Sequence, residues 1–145
     1  MNDILKYENR DQLYKFLIDD FGLKKVDEQY DPNAFGNFYI TLSAKDFLLS
    51  YVNDRSFMTI NISSKLEPKQ GLDLSFVRDL IYNPDNINNE EENMNNTERI
   101  EGLNNFLKKD FSKISILFKH NNYYNTRKQI DELLKEQFKS KNPGL

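Results

Sequence analysis

Residues 37–64 read NFYITLSAKDFLLSYVNDRSFMTINISS, and the alternation of apolar and polar side chains in this stretch decides the fold class. Phe38, Ile40 and Leu42 share one face of an extended chain, because successive side chains of a strand point to opposite faces. Residues 57–62 repeat the alternation. The connections between these segments are too short to hold a crossover helix, so the stretch predicts an antiparallel meander.

Helical periodicity lies on both sides of this region. Before it, apolar residues recur at helical spacing between Asn9, a predicted N-cap, and Gly22, a predicted C-terminal stop. After it, the pattern predicts helices that begin at Asp73, near Thr97 and at Asn125. Strands grouped first and helices grouped later indicate an α+β fold. We expect a single domain over residues 1–145, with one antiparallel sheet of about four strands, helices on one face and a helical C-terminal half.

Two interruptions are predicted in the helical half. Residues 83–96 contain seven asparagines and four acidic residues among fourteen positions. Such a segment buries too little apolar surface to offset its ordering entropy, so we expect an Asn-rich mobile loop whose deletion changes stability little. A second, smaller break is expected at residues 110–112, after which the helical pattern continues through Ile114, Leu117 and Phe118.

Composition excludes several classes of site. The chain has no cysteine and a single histidine, His120, which rules out thiolate chemistry and a histidine-pair metal site within one chain. The five glycines are too far apart for a phosphate-binding loop. No apolar run is long enough to cross a membrane, and the first residues lack the features of a signal peptide. We expect a cytoplasmic protein without catalytic residues, cofactor or metal, and without a membrane partner.

Acidic motifs and the basic C-terminal part of the chain match binding sites only in part. Residues 85–96 fail as a calcium loop at three positions, two ligand positions and the glycine of the turn, and Pro68 disrupts the resemblance of residues 67–69 to half of a nuclease site. Residues 97–145 carry a net charge of +4, but interleaved acidic residues are typical of solvated helix faces, so nucleic-acid binding is disfavoured. Arg55, at the predicted hairpin turn, is expected to pair with a carboxylate such as that of Asp73, and the less favoured alternative is that it contacts an anionic partner.

Four segments carry a family resemblance. Residues 35–40, 48–62, 73–81 and 130–141 resemble the corresponding strands and helices of small bacterial proteins encoded beside polymorphic toxin genes. The resemblance implies an immunity-type protein that binds and blocks a cognate toxin. The alternative is a structural or regulatory interaction protein of a bacterial mobile element with no toxin partner.

Charge and aromatic residues suggest how such a partner would be held. Residues 1–96 carry a net charge of −7, which would attract a basic toxin. Tight binding needs an apolar or aromatic centre, and Tyr39, Tyr51 and Phe57 are the candidates if their face of the sheet is open.

Overall fold

The computed structural model describes residues 5–82 and 94–141. After a short 3-10 turn at Tyr7–Asn9, nine helices and strands follow in these residues. They are α1 (Asp11–Phe21), β1 (Lys24–Asp31), β2 (Asn37–Ser43), β3 (Phe47–Asp54), β4 (Phe57–Ser64), β5 (Leu72–Asp73), α2 (Leu74–Tyr82), α3 (Asn96–Phe118) and α4 (Tyr123–Lys141).

The strands form one antiparallel sheet in the order β1-β2-β3-β4-β5, so each strand pairs with its neighbour in sequence. The predicted α+β class and the antiparallel meander are confirmed. The structure has five strands where about four were expected. The fifth is only two residues long and pairs with Asn61 and Ile62 of β4, and a strand this short leaves no alternating pattern in the sequence.

A two-residue turn joins β3 to β4. Arg55 and Ser56 both have positive φ angles, 53° and 68°, as a type I′ hairpin requires. The Asn37 side chain supports the turn, because its Oδ1 accepts a hydrogen bond from the Arg55 backbone N–H at 2.7 Å. This hairpin tip therefore has a defined position at one end of the sheet.

One face of the sheet forms the core with the helices. Alternate residues of β2, β3 and β4 are buried on this face: Phe38, Ile40, Leu42, Phe47, Leu49, Tyr51, Met58, Ile60 and Ile62. A polar bridge crosses the core, because the Tyr51 hydroxyl donates to Asn104 Oδ1 at 2.7 Å and Asn104 Nδ2 donates to the Leu13 carbonyl at 3.0 Å. The bridge joins β3, α3 and α1.

Two predicted helix ends are confirmed. Gly22 ends α1 in the left-handed conformation, with φ of 73°, and its N–H bonds back to the helix. Asp73 caps α2, because its Oδ1 accepts from the Ser75 backbone N–H at 2.9 Å.

Two other predicted caps are wrong. Asn9 belongs to the 3-10 turn, and α1 begins only at Asp11 without a side-chain cap. Asn125 lies inside α4, because the turn after α3 is closed by the Tyr123 N–H bonding to the Lys119 carbonyl, and the helix starts from there.

The predicted Asn-rich loop ends earlier than expected. Asn95 caps α3 by accepting from the Glu98 N–H at 2.8 Å, and Asn96 is the first residue of that helix. The remainder of the predicted loop, residues 83–93, lies outside the described residues. The expected break in α3 is found at Asp110, whose backbone angles (φ −118°, ψ 20°) are not helical.

Candidate functional site

The sheet presents a second face that is not part of the core. Its side chains alternate with the buried ones, and all of them except Ser63 at the end of β4 are partly or fully exposed. We call this surface the open face. It comprises Lys24, Asp27, Gln29 and Asp31 of β1, Asn37, Tyr39, Thr41 and Ser43 of β2, Leu48, Ser50, Val52 and Asp54 of β3, and Phe57, Thr59 and Asn61 of β4.

Tyr39 lies near the middle of the open face. The strand register places it directly between Gln29 of β1 and Val52 of β3. Desolvation raises the pKa of the Tyr39 hydroxyl, and the neighbouring Asp27 carboxylate raises it further. Tyr39 is therefore a neutral aromatic side chain at physiological pH, with a polar end that can take part in hydrogen bonds at a protein interface.

The open face is acidic. It carries three aspartates, Asp27, Asp31 and Asp54, against one cation, Lys24. Asp31 Oδ1 accepts from the Asn33 N–H at 3.0 Å, which stabilises the β1–β2 turn. Asp54 makes a weak ion pair with Arg55, with the Arg55 Nε at 3.9 Å and both side chains highly exposed, so the pair contributes little to stability.

A depression lies between the two turns at this end of the sheet. Its volume is about 360 Å³, and its wall includes Tyr39, Val52, Asp31 and Asp54. It therefore combines an aromatic ring and an aliphatic side chain with two carboxylates.

An aromatic residue is held rigidly at the neighbouring corner. Phe57 is 57% exposed, and the Arg99 guanidinium lies over its ring at 4.4 Å from the centroid. Arg99 is fixed in turn by hydrogen bonds to the Met58 carbonyl at 2.6 Å and to Asn96 Oδ1. Asn96 Nδ2 donates to the Ser56 carbonyl, so the start of α3 covers the edge of β4 beyond its pairing with β5.

The three aromatic candidates from the sequence separate into two groups. Tyr39 and Phe57 lie on the open face. Tyr51 does not: its side chain is 0% exposed and bonded to Asn104, so its candidacy as a contact residue is wrong. Tyr51 alternates with Val52 along β3 and points into the core, as Leu49 does.

Arg55 pairs with a carboxylate as expected, but its partner is Asp54, and Asp73 as the suggested partner is wrong. Asp73 pairs with Asn61, away from the hairpin tip, and uses its carboxylate to cap α2. Arg55 lies beside Asp54, with its guanidinium 6.0 Å from the centroid of the Phe35 ring. Sequence reasoning missed Arg99 altogether, since its contact with Met58 joins residues 41 positions apart.

No catalytic or metal-binding arrangement accompanies the open face in the described part of the chain. No cluster of three or more His, Asp or Glu side chains there is suited to hold a metal ion. His120 is exposed in the turn between α3 and α4. Most of the calcium-loop candidate, residues 85–93, lies outside the described ranges. Within those ranges, no helix combines the length and apolar character that a membrane span needs.

Comparisons with known proteins give no relative. No protein-family model, no curated protein sequence and no solved structure matches the chain.

Proposed function

We propose that the protein is a non-catalytic binding module, an immunity-type protein that binds a bacterial toxin domain in the cytoplasm and blocks its active site. The observation that carries the proposal is the open face, an acidic surface with Tyr39 at its centre and the rigidly held ring of Phe57 at its corner. The resemblance of the strands and the closing helix to toxin-associated immunity proteins supports the choice of partner.

The physical roles of charge and aromatic surface differ in this proposal. Complementary charge accelerates the encounter of two proteins and selects among partners. Affinity comes mainly from a few aromatic or arginine side chains that become fully buried. An acidic face with a central tyrosine and a fixed phenylalanine provides both contributions toward a basic toxin.

The test is co-expression with the toxin domain encoded beside this protein's gene. We expect cells that express both proteins to survive, and the two to elute as one complex in gel filtration at micromolar concentration. If the toxin kills equally well with and without this protein and no complex elutes, the immunity proposal is wrong. A structural or regulatory interaction protein without a toxin partner then takes its place.

A further inference from the structure

We propose that the partner docks on the open face with a basic surface, seating a lysine or arginine in the depression between Asp31 and Asp54 and packing against Phe57. The inference rests on the proposed function and deepens it by naming the surface and the chemistry of the partner.

The edges of the sheet are poor docking sites, which directs the partner to the face. An exposed edge strand can pair with a strand of another protein, and bulges and charges oppose this. The register of β1 shifts between Lys25 and Asp27, and Asp27 Oδ1 accepts from the Glu28 N–H at 2.9 Å, so this backbone donor is already bound. At the other edge, Asn96 and Arg99 cover the backbone of β4 where β5 does not pair with it.

The depression fits a basic side chain. Asp31 and Asp54 each use Oδ1 in the contacts described above, and neither Oδ2 makes a hydrogen bond or ion pair with the residues that the structure describes. Tyr39 supplies an aromatic face on which a guanidinium or ammonium group can rest while it pairs with the carboxylates. The aliphatic stem of the same side chain would lie against Val52.

Phe57 provides the second point of contact beside the depression. The strand register places Phe57 opposite Asp54, so the aromatic ring and the acidic wall are cross-strand neighbours. Arg99 packs on one face of the ring in the unbound protein, which reduces the side-chain entropy that is lost when a partner covers the other face. Rigid aromatic side chains of this kind are typical affinity anchors.

The first experiment needs no toxin. The basic peptide acetyl-Arg-Lys-Arg-amide is titrated into the ¹⁵N-labelled protein, and amide chemical shifts are followed by NMR. We expect changes to cluster at Asp31, Tyr39, Val52 and Asp54, and to fall at least fivefold in Asp31→Lys/Asp54→Lys. The matched control is Asp19→Lys/Asp20→Lys, which makes the same charge change on exposed residues of α1 and should retain the shifts. Shifts spread over other acidic surfaces, or equal losses in both variants, would overturn the assignment of the surface.

The second experiment uses the toxin domain and measures association and dissociation rates at several salt concentrations. We expect Asp31→Lys/Asp54→Lys to slow association at least tenfold at low salt. Phe57→Ala should speed dissociation at least tenfold, because it removes the anchor. Phe138→Ala is the control, since Phe138 is also 57% exposed but lies on α4, and it should change either rate less than twofold.

The two experiments separate the possible failures. If the wild-type protein binds the peptide as described but not the toxin, the proposed function is wrong and the basic-ligand surface stands. If the wild-type protein binds the toxin and the open-face variants bind it equally well, the docking surface is wrong and the proposed function stands. Circular dichroism of each variant confirms that the fold is retained.

Discussion

Replacing Tyr51 by phenylalanine removes one hydroxyl from the centre of the core. That hydroxyl donates to Asn104 Oδ1 at 2.7 Å, and the Asn104 amide holds the Leu13 carbonyl at 3.0 Å. Tyr51→Phe leaves the ring in place and takes away the hydrogen bond, so Asn104 Oδ1 loses its donor in a poorly hydrated setting. Leaving a buried polar group without its hydrogen-bond partner lowers the free energy of unfolding by about 1–3 kcal/mol. Because Asn104 is only partly buried, we expect a loss of about 1–2 kcal/mol.

Urea denaturation at 25 °C and thermal unfolding measure this loss. With a urea m-value of about 2 kcal/mol/M, the unfolding midpoint should fall by about 0.5–1 M. The melting temperature should fall by about 2–8 °C for a chain of this length. Tyr39→Phe is the matched control, because it makes the same chemical change one strand away on the open face. Its urea midpoint should stay close to that of the wild type, because surface substitutions of this kind change stability little.

A double-mutant cycle isolates the bridge itself. Asn104→Ala removes both hydrogen bonds of that side chain, and Tyr51→Phe in the Asn104→Ala background should then cost clearly less than in the wild type. Equal losses in the two backgrounds would refute the bridge. So would equal midpoints for Tyr51→Phe and Tyr39→Phe.

Three further predictions concern stability. Gly22→Ala should cost about 1–2 kcal/mol of unfolding free energy, because the left-handed backbone penalises any side chain even though the added Cβ would meet nothing within 4 Å. Gly102→Ala, inside α3, should instead stabilise the protein by about 0.4–1 kcal/mol. Urea midpoints of the two variants measure both effects. Tyr82→Phe should lower the urea midpoint in the same assay, because the Tyr82 hydroxyl donates to the carboxylate of Asp110, which is only 3% exposed. Burial raises the pKa of Tyr123 to about 12, so between pH 10 and 12 the folded state keeps a proton that the unfolded state loses. The stabilising contribution of this group is therefore present below pH 10 and lost as the pH rises from about 10 to 12. Tyr123→Phe should flatten the decline of the unfolding free energy over that window.

Other outcomes would contradict these arguments. Equal signs for the two glycine replacements would show that backbone conformation does not decide their effect. An unchanged midpoint for Tyr82→Phe would mean that water replaces the hydroxyl at Asp110. A Tyr123→Phe profile parallel to the wild type between pH 10 and 12 would assign the alkaline loss to other tyrosines.

The sequence predicts the sheet well because alternation is a local property. The apolar set of β2 and the apolar set of β4 each occupy one face, so the facing of Tyr39 and Phe57 follows directly from the pattern. In β3 the alternation is unclear, because Leu48 and Leu49 are adjacent and both apolar, and so are Tyr51 and Val52. The sequence therefore does not show which face of this strand is buried. The error on Tyr51 comes from this ambiguity, which only tertiary packing removes.

Helix ends are also predictable only where local residues determine them. Gly22 and Asp73 act through their own backbone conformation or the next two residues, which the sequence reveals. The chain offers many asparagines as possible caps, and Asn95 is used while Asn9 and Asn125 are not, because the turns around them decide where each helix starts. The corner at Phe57 was beyond prediction, since it forms only when the start of α3 meets the distant β3–β4 hairpin.

The sequential order of the strands has a consequence for folding kinetics. Each of the four strand pairings joins neighbours in the chain, so the sheet requires only short loops to close, and short closures are entropically cheap. The type I′ turn at Arg55 and Ser56 favours early formation of the β3–β4 hairpin, which forms on a timescale of about 1–10 μs in isolated peptides. We expect the late, slow step to be the arrival of α3, because it brings Asn104 to Tyr51 and Arg99 to Phe57 across long stretches of chain. We therefore expect the core bridge and the corner of the open face to form in the same event, so that the aromatic anchor is complete only in a fully folded molecule.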